Sequence, residues 1–220
     1  VTFGLRHFGT ERSRFVVNGR PTFLRGKHDA CIFPLTGYPP MDKAGWLRVL
    51  GIAKSYGINH YRFHSWCPPD AAFAAADELG MFIQAELPNK AAIERPESAP
   101  YVLPANAFET RDEVDPRARK EIERTAYLRR EGEKMLRAFG NHPSFVMMTL
   151  GNEIGGERSV MKGLCDHFRS LDGRHLHAQG TNHFHWEPGL QDGDEFWVTD
   201  STAHDKPVRG SFFQGKYPGH

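Results

Sequence analysis

Net charge is almost absent from this 220-residue chain: 28 Lys and Arg stand against 27 Asp and Glu, giving +1 at neutral pH. Phosphate backbones are bound by clustered Lys and Arg, and no such cluster covers a face, which excludes nucleic acid as the main partner. Long apolar runs are also missing. No stretch approaches the about 18 consecutive apolar residues of a membrane span, and no leader-type segment is visible. Cysteine is scarce. Cys31, Cys67 and Cys165 are odd in number and lack metal-type spacing, which points to free, mostly buried thiols. Internal repeats and low-complexity segments are lacking too. The opening on Val1 and the close on "YPGH" give the expectation of a piece of a longer protein, with any targeting segment outside it.

What is present is an alternation of short apolar runs with longer amphipathic stretches. "RFVVNGRPTFL" sets Asn18-Gly19 between two β-prone arms and predicts a hairpin with a type I′ turn. After the loop "FPLTGYPP", Asp42 is placed to cap a helix that carries Trp46, Val49, Leu50 and Ala53 on one face and closes at Gly57. "INHYRFHSWCPP" reads as a strand broken by prolines. Asp70 is expected to cap a short helix ended by Gly80, and "MFIQAELP" is the next strand. Periodicity is lost from Asn89 to Asp115, a length that marks a functional or mobile loop. Pro116 opens a long charged helix to about Phe139, "SFVMMTL" is a strand, and Val160, Leu164, Phe168 and Leu171 mark a helix ended by Gly173. "LHAQG" and "FWVTD" are further strand candidates.

Strands alternating with helices, and too apolar for a wet face, predict an α/β fold with a parallel sheet of about six strands. An open doubly wound sheet and a (β/α)8 TIM barrel compete. A dinucleotide-binding open sheet needs a glycine-rich turn after its first strand, and "RGKHDACIFP" offers none, so no cofactor is expected. A barrel gathers its active-site residues at the C-terminal ends of its strands. Those ends here carry His28 and Asp29, then Arg62, His64 and Trp66, then Glu86, then Asn152 and Glu153, then Asn182, His183 and His185, then Asp200. Any one of these alone is more simply a loop residue bonded to backbone; their recurrence at every end is harder to explain that way. Paired carboxylates with arginine, histidines and tryptophans suit glycoside hydrolysis, in which one carboxylic acid protonates the leaving oxygen and a second acts as nucleophile or base.

"VVNGRPTFLRG", "INHYRFHSW", "GMFIQAELP" and "GNHPSFVMMTLGNE" resemble, in order and spacing, the catalytic barrel of glycoside hydrolase family 2 over most of residues 3–155. "FGLRHF" resembles the segment that joins that family's immunoglobulin-like domain to its barrel, so residues 1–12 are expected to be the end of a preceding β-sandwich domain or a linker. Residues 13–220 would be an incomplete (β/α)8 barrel with an N-terminal hairpin. The resemblance implies a retaining glycosidase with a carbohydrate substrate, with Glu153 as general acid/base and Asn152 on the hydroxyl beside the anomeric carbon. Arg62 would hold the nucleophile ionised, and His64 and Glu86 would line the terminal sugar subsite. "KHDA", "HSWCPP" and "VTDSTAH" depart from the family pattern, which makes His28, Asp29 and Trp66 weaker pocket candidates and transfers no tyrosine role.

The nucleophile of that clan is a Glu at the end of the seventh strand. Glu157 opens a helix, and Glu187, Asp192, Asp194 and Glu195 sit in a loop, so the nucleophile is expected outside the chain. The isolated 220 residues should then be inactive and prone to aggregate through an open sheet edge. Three other readings stand beside this one: a metal-dependent barrel hydrolase using His183-Phe184-His185, a non-catalytic carbohydrate-binding barrel, and a plain α/β domain whose polar strand ends cap loops.

Overall fold

The computed structural model describes residues 4–89, 116–152, 154, 157–180, 191–197, 201–203 and 206–207. It opens with β1 (Phe8–Glu11), β2 (Arg14–Val17) and β3 (Arg20–Thr22), an antiparallel sheet in that order. The β2–β3 turn is the expected one. Asn18 has φ 51° and Gly19 φ 73°, the two positive values a type I′ turn requires. Asn18 also accepts the His7 N–H through its side chain at 2.7 Å, tying the turn to the chain that enters β1.

Next come β4 (Gly26–Asp29), α1 (Lys43–Ser55), β5 (His60–Phe63), α2 (Asp70–Leu79), β6 (Phe82–Glu86), α3 (Pro116–Phe139), β7 (Phe145–Thr149), α4 (Arg158–Leu171) and β8 (Leu176–Ala178). The five strands β4 to β8 form one parallel sheet in unbroken sequence order. An open doubly wound sheet reverses direction part-way; a barrel wall does not. The order therefore decides between the two architectures. Of the sixth candidate strand "FWVTD", Phe196 and Trp197 are buried without a ladder, and the remainder lies outside the described residues. A short antiparallel pair, β9 (Ser201–Ala203) with β10 (Lys206–Pro207), completes the described elements.

The sheet divides the core in two, and a register shift between β6 and β7 at Ile83/Gln84 puts Phe145 and Met148 on one side and Val146 and Met147 on the other. Tyr61, Phe63, Ile83, Ala85, Phe145 and Met148 face the helices and pack on Trp46, Leu50, Phe73, Leu128, Leu164 and Phe168. On the other side of the sheet, Leu24, Val146, Met147, Leu176, Ala178 and Phe196 form the barrel interior with Phe8. Phe8 reaches this interior from β1, which has only four residues and no alternation to announce it; β2 is the template that makes it a strand. Arg6 extends the same seal, its guanidinium donating to the carbonyls of Pro143, Phe145 and Arg174. These groups lie at the strands' N-terminal ends. The floor of the barrel is thus closed by residues 6–8, and function is left to the opposite rim.

The helix signals divide instructively. Asp42 caps α1 by accepting the Gly45 N–H at 2.8 Å, and Gly80 ends α2 in the left-handed region at φ 66°, both as expected. Asp70 does not cap α2. Pro69 is the N-cap, Asp70 lies in the first turn, and its carboxylate meets His142 Nε2 at 3.1 Å. His142 Nδ1 meets Asp77 at 2.6 Å, and the ring stacks on Phe73 at 5.3 Å. Leu171, one of the apolar residues that mark α4 in the sequence, is about half exposed. The three cysteines are free, Cys165 buried and Cys31 exposed. No helix among the described residues is long and apolar enough to cross a membrane.

The His142 clamp gives a stability prediction. The hydrogen bond to Asp77 raises the His142 pKa, burial opposes it and Asp70 adds to it. Burial alone would raise Asp77, but hydrogen bonds from His142 and Ser144 outweigh it and hold the carboxyl low. The histidine's contribution is full below its unfolded pKa of about 6.5 and is lost as pH rises through the higher folded value. The aspartate's is present above about 3.9 and is lost as pH falls through its depressed value. His142→Gln should therefore lower the urea midpoint more at pH 5.5 than at pH 8.5. An equal loss at both would show that only packing on Phe73 matters.

Candidate active site

β5, β6 and the chain after β7 bring three of the expected residues together at the C-terminal rim. β5 and β6 pair in the register Arg62↔Gln84, so both residues face the barrel interior. Glu86 lies two residues on and shares that face. Arg62 Nε donates to Glu86 Oε1 at 2.6 Å, and its Nη2 donates to Asn152 Oδ1 at 2.7 Å. The Glu86 side chain is wholly buried and that of Arg62 nearly so. A buried carboxylate without partners would cost several kcal/mol. Here it also accepts Gln84 Nε2 at 3.2 Å and Ser65 Oγ at 3.0 Å.

Asn152 is held by its backbone as well. Its N–H donates to Asn89 O at 3.1 Å, and Leu87 N–H donates to Thr149 O at 3.0 Å, so the chains leaving β6 and β7 run in contact. Gly151 makes this possible. At φ 146° a Cβ there would lie 2.1 Å from Asn89 O, inside any tolerable contact. Glu153 lies outside the described residues, but its neighbours are fixed: Asn152 is buried, and Ile154 is buried in the helix-side core.

His28 and His64 border this group. β4 and β5 pair as His28↔Arg62, which puts His28 on the interior face, and its ring meets that of His64 edge-on at 4.4 Å. Partial desolvation, then His64 and Arg62, lower the His28 pKa and favour the neutral imidazole; Glu86 pulls weakly the other way. One level deeper, burial and then Arg62 push His60 down to about 4.

A family comparison fits this arrangement. The family described as "Glycosyl hydrolases family 2, TIM barrel domain" matches residues 9–193. The chain belongs to glycosyl hydrolase family 2. Solved structures of similar fold include the Parabacteroides merdae β-glucuronidase with glycerol in its active site, at 23% identity and TM-score 0.61, covering 80% of this chain and 20% of that one. A family 2 member from Bacteroides cellulosilyticus aligns at 17% identity and TM-score 0.63, covering 91% and 24%. The Ruminococcus gnavus β-glucuronidase aligns at 18% and TM-score 0.69, covering 90% and 31%. The chain thus spans about a fifth to a third of the length of these structures. No curated protein matches significantly.

Two expected pocket residues of this family 2 barrel sit elsewhere. Asp29 is paired with Phe63, whose ring is in the helix-side core, so the pleat turns Asp29 away from Arg62. Its carboxylate accepts the Cys31 N–H at 2.9 Å and lies 3.4 Å from Lys27 Nζ, which makes it a turn-former. Trp66 packs edge-on against Phe63 at 5.1 Å and lies 6.3 Å from Trp46, and its indole N–H donates to Asp29 O at 3.4 Å. The register places Asp29, whereas Trp66 lies beyond β5 and is placed by its ring contacts. Position at a strand end does not fix the side of the sheet; the register does.

Asn182, His183, His185, Glu187 and Asp200 lie outside the described residues. Among the other acids considered for the nucleophile, Asp194 accepts the Gln179 N–H at 2.7 Å and the Gln191 N–H at 3.2 Å. Burial pushes it up to about 7 despite those bonds. Glu195 accepts the His177 N–H at 2.8 Å and pairs with Arg169 at 3.1 Å. Both fasten residues 191–197 to β8. Sequence reading passed over Ser65 and Gln84. The signal for Gln84 was there: Phe82, Gln84 and Glu86 share one phase of β6, and Ile83 and Ala85 the other.

Proposed function

We propose that the full-length protein is a retaining glycosidase acting by double displacement. The observation that carries this is the Arg62–Glu86–Asn152 group at the C-terminal rim of a family 2 barrel, on the residue directly before Glu153. Glu153 protonates the departing glycosidic oxygen while a second carboxylate, outside the 220 residues, attacks the anomeric carbon. Glu153 then takes a proton from water, and the sugar leaves with its original configuration. Arg62 supplies positive charge toward the nucleophile, and Asn152 bonds the neighbouring sugar hydroxyl. His28 and His64 are placed to meet hydroxyls of the terminal sugar, with Asn182 and His183 as further contacts.

A β-linked substrate ending in glucuronic acid is the first to test, given the β-glucuronidases of similar fold. The full-length protein is assayed on a panel of aryl β-glycosides that includes the glucuronide, and the first-formed anomer is read by proton NMR. Hydrolysis of at least one substrate with retention is expected. Inversion rules out double displacement, and no hydrolysis across the panel rules out the activity. The 220-residue chain alone should show no turnover, because it holds one member of a carboxyl pair that works at roughly 5–5.5 Å separation.

A further inference from the structure

Glu86 was expected to touch sugar, yet it has no surface to offer. Its side chain is fully buried, and both oxygens are taken, Oε1 by Arg62 at 2.6 Å and Gln84 at 3.2 Å, Oε2 by Ser65 at 3.0 Å. We infer that Ser65, Gln84 and Glu86 form a positioning unit that fixes the plane of the Arg62 guanidinium, and through it the orientation of the Asn152 amide, without contacting substrate. The inference rests on the glycosidase reading proposed above.

The geometry is specific. Gln84 lies directly across the ladder from Arg62 and donates to the same Glu86 oxygen as Arg62 does, and Glu86 lies one step nearer the rim. Arg62 is gripped at two corners of its fork, Nε by Glu86 and Nη2 by Asn152, which fixes the plane as a single contact would not. Arginine has donors only, so the Asn152 atom facing it must be the carbonyl oxygen. The amide NH2 then points away from Arg62 and is the end able to donate to a hydroxyl oxygen. Reversing that amide would set donor against donor.

Stability alone gives no reason for this construction. Buried ion pairs can be replaced by apolar side chains of similar volume with little loss and often some gain, whereas they do fix orientation. Ser65 makes the same point on a smaller scale. Its hydroxyl sits in the turn directly after β5, two residues beyond the rim histidine's neighbour Phe63, and spends its donor on Glu86 Oε2. Glu86 is also tethered through its main chain, whose N–H donates to Trp66 O at 3.3 Å. The carboxylate is therefore held from the β5 side, the β6 side and its own backbone before Arg62 arrives.

The test compares Glu86→Gln, Ser65→Ala and Ser65→Thr in the full-length protein. Glu86→Gln keeps the shape but removes the charge that grips Arg62: a carbonyl oxygen can still accept from Arg62 and Gln84, and the NH2 then needs Ser65 Oγ as acceptor in place of donor. It should lower kcat by about 10²-fold, the cost of misplacing a catalytic group by about an ångström, with KM changed less than about threefold. Ser65→Ala should lower kcat by a smaller factor, and Ser65→Thr should restore it. A rise in KM at unchanged kcat would make Glu86 a substrate contact and overturn the inference, as would wild-type kinetics in both Glu86→Gln and Ser65→Ala. A crystal structure of Ser65→Ala and, where it folds, Glu86→Gln reads the same question without turnover. Arg62 should leave Asn152 in it, and an unmoved guanidinium would sink the positioning role. Failure of the wild type on the substrate panel would instead count against the glycosidase reading.

Discussion

Glu153→Gln in the full-length protein should lower kcat by roughly 10²–10⁴-fold on an alkyl glycoside, the usual span for losing a general acid/base. The size should depend on the leaving group. An alkoxide cannot depart without a proton, so the first step suffers fully. A dinitrophenolate departs unaided, so on that substrate the first step should be nearly normal and release of the sugar slow. Azide needs no base to attack the glycosyl-enzyme, so adding it should restore turnover on the dinitrophenyl substrate and yield a glycosyl azide of retained configuration. Wild-type turnover of an alkyl glycoside by Glu153→Gln would remove Glu153 from the mechanism. The expectation rests on sequence position: Glu153 directly follows Asn152, which is buried and bonded through backbone and side chain.

What could be read from the sequence was what local chemistry decides. Asn18-Gly19 dictates a turn type, Asp42 a cap and Pro116 a helix start, and all three stand in the structure as expected. The barrel reading needed more than propensity; four motifs in order supplied it. What escaped depends on pairing between distant segments. β1 exists because β2 is beside it. Asp70 looked like a cap because its partner, His142, is distant in sequence. Asp29 and Trp66 looked like pocket residues because a strand end was treated as having one side. The β4–β5 register, with Asp29 against Phe63, turns Asp29 to the helix side, and Trp66, in the turn beyond β5, packs on Phe63. Period-two reading of β6 would have found Gln84, and would have warned that an interior rich in His60, Arg62, Gln84 and Glu86 must satisfy its own polar groups.

Gly151→Ala should be the most damaging single-atom addition near the site. The built Cβ falls 2.1 Å from Asn89 O and 2.9 Å from its carbonyl carbon, so it meets backbone that no rotamer change can move. φ at 146° adds strain for any residue with a Cβ. Strain and overpacking together predict a loss of roughly 2–6 kcal/mol. Relief is blocked on the far side as well, because a Cβ on Gly180, at φ 141°, would lie 2.4 Å from Gly151 O; the three loops after β6, β7 and β8 are stacked backbone on backbone. The displacement must therefore pass along the chain into Asn152, whose N–H bond to Asn89 O is the first to go. Gly163 is the control. It lies exposed in α4 with open space where a Cβ would stand, so Gly163→Ala should leave turnover unchanged and stabilise by about 0.5–1 kcal/mol. Urea midpoints and kcat/KM for wild type and both variants give the answer. A Gly151→Ala protein that unfolds with the wild type and keeps its turnover would mean that the chains after β6 and β7 are not in contact.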